Sequence, residues 1–364
     1  MPAHFVALSD LHLGYDNSVL NDHGAQERLA VEIAKLCNGD TDRLILNGDA
    51  FEACVPRGAG TYDPVGFTPF MASCARGFFE ALLTNMTIES LIIVWGNHDY
   101  ALWKRLATSC GVSTFTNLTK GDVLLQHDGQ TLPGAANFLD DVIGPGRLKF
   151  ARIRSAYPNY ILGRYWPYLT FHHGHYLDDL IIGQASEAEY LGLRILTGVG
   201  RPGVNVADDE TVKEIYDKTE AFIAATWEYN SKARELEWAV IRRAQSKLTP
   251  CSYFPVDKAP AEMLVATIEP FGEDLGKNAL WYANTLMADP TTPAPLGRAD
   301  TPSYLFVGHD HLGGFKNLMG MDGRPWRVVN TGGWTNDGGI SAVHGHVTLW
   351  AKDENTPSVH CISV

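Results

Sequence analysis

Apolar positions along the chain fall into short runs that stop at the same kinds of residue. "HFVALSD" (4–10), "RLILNGD" (43–49), "SLIIVWGNHD" (90–99), "YLTFHHGH" (168–175) and "SYLFVGHDH" (303–311) each start apolar and end among Gly, His, Asp or Asn. Apolar runs of this length, bounded by turn residues, predict buried strands. Between the first three lie helical patterns, "GAQERLAVEIAKLC" (24–37) and "PFMASCARGFFEALLTN" (69–85). Strands alternating with helices predict an α/β fold. Loops at the C-terminal ends of such strands gather the polar chemistry, so the five strand ends are expected to converge on one site.

Beyond this the pattern changes twice. Residues 208–248 predict a long helix or a broken pair: Asp208 is a plausible N-cap, and Val212, Ile215, Tyr216, Thr219, Phe222, Ile223 and Trp227 recur at helical spacing. A Pro-rich stretch, "ADPTTPAPLGRADTP" (288–302), then returns the chain to the strands. The expected organisation is a core of 1–175 and 301–364, with 176–300 as a mostly helical insertion or cap. For its aromatics Trp227, Trp238, Trp281 and Tyr282, core packing is the simpler role than a substrate wall. The tail, "RVVNTGGW" (327–334), "ISAVHGHVTLW" (340–350) and "SVHCISV" (358–364), predicts a second and more antiparallel set of strands.

Composition narrows the function. With 364 residues, 45% apolar and 20% charged, the chain can bury a sizeable core. A net charge of −13 disfavours a dedicated nucleic-acid binder. It leaves a phosphate substrate open, because bound cations can supply local positive charge. The six scattered cysteines form no CxxC and are expected to be buried thiols of a reducing compartment. The start "MPAHFVALSD" has no basic segment and no long apolar run, and no stretch reaches the roughly 18 apolar residues of a membrane span. A cytoplasmic location without a membrane span is therefore expected; the oligomeric state stays open.

The strand-end residues are Asp10 and His12 in "DLH", Asp49 in "NGDAFE", Asn97, His98 and Asp99 in "GNHD", His173 in "HHGH", and His309 and His311 in "GHDH". Mixed oxygen and imidazole donors suit borderline cations such as Zn, Mn, Fe or Co better than Ca or Mg. These donors outnumber what one tetrahedral ion takes, and two ions sharing a carboxylate would use them.

The ordered set "DLH … GD … GNHD … HG … GHDH" resembles the calcineurin-like metallophosphoesterases. Each motif alone is weak, but five in order at strand ends are specific. The motifs span residues 10–311, and "VNTGGW" resembles the strand and turn that follow the last histidine pair in that family. The resemblance implies two facing mixed β-sheets flanked by helices in a four-layer αββα sandwich. It implies Asp10, His12 and His311 on one metal, Asn97, His173 and His309 on the other, and Asp49 bridging them. His98 would face the substrate beside Asn97, stabilise the transition state and protonate the leaving oxygen. A water made hydroxide by both cations would be the nucleophile.

One departure concerns orientation. The family often reads "GDxxD", its last Asp orienting the "GNHD" histidine; here Glu52 stands there, one methylene longer. In "HHGH" the family pattern selects His173, and strand alternation turns Phe171 and His173 one way and His172 the other. His175 could reach a substrate, as could Arg57 in the Gly-rich loop after Glu52; Arg201 in "GRPGV" is the weaker candidate. His4, His23, His127, His344, His346 and His360 are expected to be ordinary surface or packing residues.

The expected function is metal-dependent hydrolysis of a phosphate ester, mono- or diester, on a small or amphiphilic organic molecule. Two alternatives remain at this point: a nuclease, and a non-catalytic metal-binding scaffold.

Overall fold

The computed structural model describes residues 2–15, 18–53, 68–113, 122–162, 169–177, 279, 282–284, 302–309, 314–320, 323–335, 344–354 and 356–364. Two mixed sheets carry the fold. The eight-stranded sheet has at its centre four parallel strands, β1 (Ala3–Leu8), β2 (Asp40–Asn47), β3 (Thr87–Val94) and β6 (Arg152–Ala156). β12 (His344–Ala351) and β13 (Ser358–Ser363) extend it antiparallel on the β1 side. β4 (Asp122–His127) and β5 (Gln130–Thr131) do so beyond β6. The five-stranded sheet runs β10 (Gly314–Met319), β11 (Pro325–Asn330), β9 (Ser303–Val307), β8 (Leu169–His172), β7 (Asn159–Leu162), with β8, β9 and β11 parallel and the two edges antiparallel.

All five apolar runs are therefore strands, and each pairs in parallel with at least one neighbour and is largely buried, which explains why they are nearly continuous in apolar residues. The tail departs from expectation. Its strands form no separate set: β11 pairs parallel with β9 in the small sheet, whereas β12 and β13 close the edge of the large one. Similar alternation in neighbouring strands does not encode which edge each will reach.

The inner faces of the two sheets meet through Phe5, Ala7, Ile45, Ile92 and Val94 from one and Leu169, Phe171, Tyr304, Phe306 and Val329 from the other. Phe171 stacks on Phe306 at 4.6 Å, and Phe5 meets both edge-on at 5.3 and 5.6 Å, the offset and T-shaped geometries that aromatic quadrupoles favour. α1 (His23–Leu36) and α2 (Pro69–Asn85) belong to the larger core cluster with Val6, Leu8, Leu44 and Leu46 of the large sheet. Both starts are capped by a side chain. The Asp22 side chain accepts from the Ala25 amide at 2.8 Å, and Thr68 from Met71 at 3.1 Å with Pro69 next to it. α3 (Tyr100–Cys110) begins at Asp99 and ends on Gly111 at φ 66°, a left-handed C-terminal stop. α4 (Ala136–Val142) follows the β4–β5 hairpin.

Of the 176–300 segment, the helical pattern 208–248, Arg201, Trp227, Trp238 and Trp281 lie outside the described residues. Tyr282 is described and wholly buried. Its hydroxyl donates to Asn159 Oδ1 at 2.6 Å, and its ring lies 4.8 Å from that of His172 on the outer side of β8. Cys37, Cys74, Cys110 and Cys361 are free thiols. Among the described residues no helix is long and apolar enough to cross a membrane.

Candidate metal centre

The C-terminal ends of β1, β2, β3, β8 and β9 deliver Asp10 and His12, Asp49, Asn97 and His98, His173, and His309 to one place between the sheets. Backbone contacts lock these ends together. The Asp10 amide donates to Gly48 O at 3.0 Å and the His12 amide to Asp49 O at 2.9 Å; Gly308 N reaches His173 O at 2.6 Å. Asn47, the last residue of β2, crosses the gap and donates to the carbonyls of His172 (3.3 Å) and Phe306 (3.1 Å) in the other sheet. An Asn ending the apolar run "RLILN" was a legible signal that sequence reasoning passed over.

Asp10, His12, Asp49 and His309 all sit at positive φ, 53°, 45°, 49° and 76°. Left-handed backbone on a non-glycine residue costs about 1 kcal/mol or more. Four such residues at adjoining strand ends mark a site the fold holds against strain. The glycines are required by close approach: a Cβ on Gly96 would collide with the Asp49 carboxylate, and one on Gly308 with that of Asp10.

Two donor groups form here, His12, Asp49 and His98, and Asp49, His173 and His309, and Asp49 belongs to both. Asp49 Oδ2 lies 3.0 Å from His173 Nε2 and 3.9 Å from His12 Nε2, while Oδ1 accepts the His98 amide at 2.8 Å. His173 donates Nδ1–H to the Asn47 carbonyl at 3.3 Å, which turns Nε2 toward Asp49 and, at 3.1 Å, toward Asn97 Oδ1. Three acceptor atoms thus face one another, an arrangement that asks for a cation or a proton between them. The His309 ring stands 5.2 Å from that of His173. Asp10 lies outside both groups; its two oxygens accept the His309 amide at 3.0 and 3.1 Å. Glu52 reaches the Nδ1 atoms of both His98 and His12. Arg57 and His311 lie outside the described residues.

The electrostatics point the same way. Asp10, Asp49, Glu52 and Asp99 are 0–1% exposed, and no Lys or Arg is buried among the described residues. Burial drives the Asp49 carboxyl up, but His173, His98 and His12 outweigh it and hold it well below the usual carboxylate range. Glu52 is likewise held down at about 2 by His98 and His12 against its burial. Burial and the Asp49 charge push Asp10 and Asp99 up. Buried carboxylates need compensating positive charge, and here histidines are the only side chains among the described residues that offer a place for it. Mixed imidazole and carboxylate donors fit a borderline transition-metal ion.

Sequence reasoning gave no role to several supporting residues. Asp99 accepts from the amides of Gly96 (2.7 Å) and Ala50 (2.9 Å), fixing the β3 loop against the β2 loop. Ser9 bonds to Thr331 Oγ1 and donates to Gly332 O at 3.1 Å, and the Trp334 amide donates to Asp10 O at 3.1 Å. The "VNTGGW" turn therefore buttresses the first strand end. His175, for which the sequence suggested a substrate contact, is wholly buried, its Nε2 3.0 Å from the Tyr157 hydroxyl and its ring stacked near His172 at 5.4 Å; burial pushes it well below the usual imidazole range. Neither donor group includes His346 or His360.

No protein-family model matches the chain, and no curated protein matches it. Among solved structures, a 5'-nucleotidase from Candida albicans is similar at 13% identity with a TM-score of 0.31. That alignment covers 100% of this chain and 51% of the nucleotidase, so the chain spans about half the length of that protein.

Proposed function

We propose that the chain is a metal-dependent hydrolase of phosphate esters acting on a small organic phosphate. The observation that carries this reading is the pair of buried donor groups sharing Asp49 among carboxylates with no buried Lys or Arg beside them in the described residues. Two ions would be held by such a set, His12 with Asp10 and His311 for one, His173, His309 and Asn97 for the other, with Asp49 serving both. When bound, such ions supply Lewis-acid charge for phosphoryl oxygens and activate water near neutral pH.

The protein's own groups supply the rest. Asp49 stays ionised and accepts the His98 amide, which fixes the His98 ring beside His12 and Asp49. Glu52 accepts from His98 Nδ1, so Nε2 is the ring nitrogen that would face a phosphoryl or leaving-group oxygen. The ordered motifs of the sequence favour phosphorus as the electrophile. A fourth, helical layer over the outer face of the five-stranded sheet, with 176–300 as a cap, belongs to the same reading. The test is hydrolysis of bis(p-nitrophenyl) phosphate and p-nitrophenyl phosphate by chelated protein reloaded separately with Mn, Zn, Co and Fe. Metal-dependent release of nitrophenol from either is expected. No release with any metal, together with no transition ion retained on dialysis, would refute the reading.

A further inference from the structure

Glu52 is wholly buried, and its carboxylate faces two imidazoles at once. Oε2 lies 2.9 Å from His12 Nδ1, and Oε1 and Oε2 lie 3.1 and 3.0 Å from His98 Nδ1. The two rings stand 4.7 Å apart at 87°, which turns both Nδ1 atoms toward the same carboxylate. The backbone fixes this residue from both sides: the Glu52 amide donates to Leu13 O at 3.0 Å and the Ala53 amide to His98 O at 3.2 Å. An ionised carboxylate only accepts, so each ring must present Nδ1–H and leave Nε2 for other work.

We propose that Glu52 is a positioning residue shared by two histidines with different duties, fixing the tautomer and angle of His12 for a cation and of His98 for the substrate. Metal affinity and turnover then depend on one carboxylate, an inference that rests on the hydrolase function proposed above. The chemistry explains why this position needs a carboxylate with Glu's reach. Asp is one methylene shorter and reaches one ring at a time. Gln places its NH2 against an Nδ1–H in either amide orientation, two donors facing each other.

The test uses Glu52→Gln and Glu52→Asp in the full chain, with circular dichroism to establish folding. The readouts are zinc affinity by chelator competition, kcat on the better nitrophenyl ester at saturating metal, and the downfield imidazole N–H protons of the zinc-loaded protein. Loss of a partner that orients a ligand weakens metal binding about 10–100-fold. Loss of an oriented acid or base lowers kcat about 100-fold or more. Both drops are expected in Glu52→Gln, with the loss or shift of two N–H resonances present in the wild type. Metal affinity within twofold of wild type with reduced kcat would mean that Glu52 serves His98 alone and would overturn the proposal. Unchanged kcat with weakened metal binding would overturn it from the other side. If the wild type binds zinc but cleaves no ester, the hydrolase function falls separately, and the affinity and N–H readouts still decide the role of Glu52. If Glu52→Gln does not fold, Glu52→Ala, which removes the acceptor from both rings, carries the same criteria.

Discussion

Asp49→Asn isolates the charge that both donor groups share. Asn is isosteric, and its Oδ1 can keep the 2.8 Å bond from the His98 amide, so the loop is expected to hold its shape. What changes is the atom facing His173 at 3.0 Å and His12 at 3.9 Å. Unit charges about 4 Å apart at an effective dielectric constant of about 20 interact by about 4 kcal/mol. Losing one negative charge at that range weakens binding by about three decades for each unit of the cation's charge. Because Asp49 belongs to both groups, both ions are affected. Saturation at about 100 times Kd stabilises the folded state by about 2.7 kcal/mol per site. With an unfolding entropy of about 2.1 cal/mol/K per residue, that raises the melting temperature of a 364-residue chain by about 3–4 °C per site. The assay is elemental analysis after dialysis, paired with melting curves with and without Zn or Mn. Wild type is expected to retain metal and melt higher with it; Asp49→Asn is expected to do neither and to lose turnover. A variant that binds both ions within tenfold of wild-type affinity, with the same melting rise, would refute the shared-carboxylate reasoning.

Other perturbations test the frame around the site. Phe171→Ala removes the ring between Phe5 and Phe306 and should cost about 3–5 kcal/mol in urea unfolding; a loss below about 1 kcal/mol would show that the sheets do not depend on this contact. Gly96→Ala pushes a methyl into the Asp49 carboxylate and should lower both stability, by about 1–3 kcal/mol, and metal content; unchanged metal content would count against the close approach. Asp22→Ala should cost about 1 kcal/mol through loss of the α1 cap while leaving metal content untouched, which separates general destabilisation from damage to the centre. Replacing 208–248 with a short linker should change substrate range more than metal binding; loss of metal would make that segment part of the core.

The legible part of this protein was five of its parallel strands and what stands at their ends; the central parallel strand β6 left no such mark, and β11 was expected in an antiparallel set. β1, β2, β3, β8 and β9 are buried on both faces, so each writes itself as an apolar run, and each ends where the backbone turns left-handed or passes through glycine. α1 and α2 were legible through their periodicity. The antiparallel strand β4 and the edge strands β7 and β10 were not, because they mix exposed or half-buried positions with buried ones and carry no comparable run. Glu52 illustrates the division most sharply. From sequence it was a departure whose reach could not be judged. In the folded chain it meets two imidazoles, because the crossing angle of the His12 and His98 rings is set by two loops from different strands. Sequence by itself determined the donor types, their order and the α/β class, since these follow from side-chain chemistry and local period. Tertiary structure alone decided that Glu52 meets two imidazoles, that Asn47 ties the two sheets, and that the tail divides between them. Those are relations between residues far apart in the chain, and only packing fixes their distances.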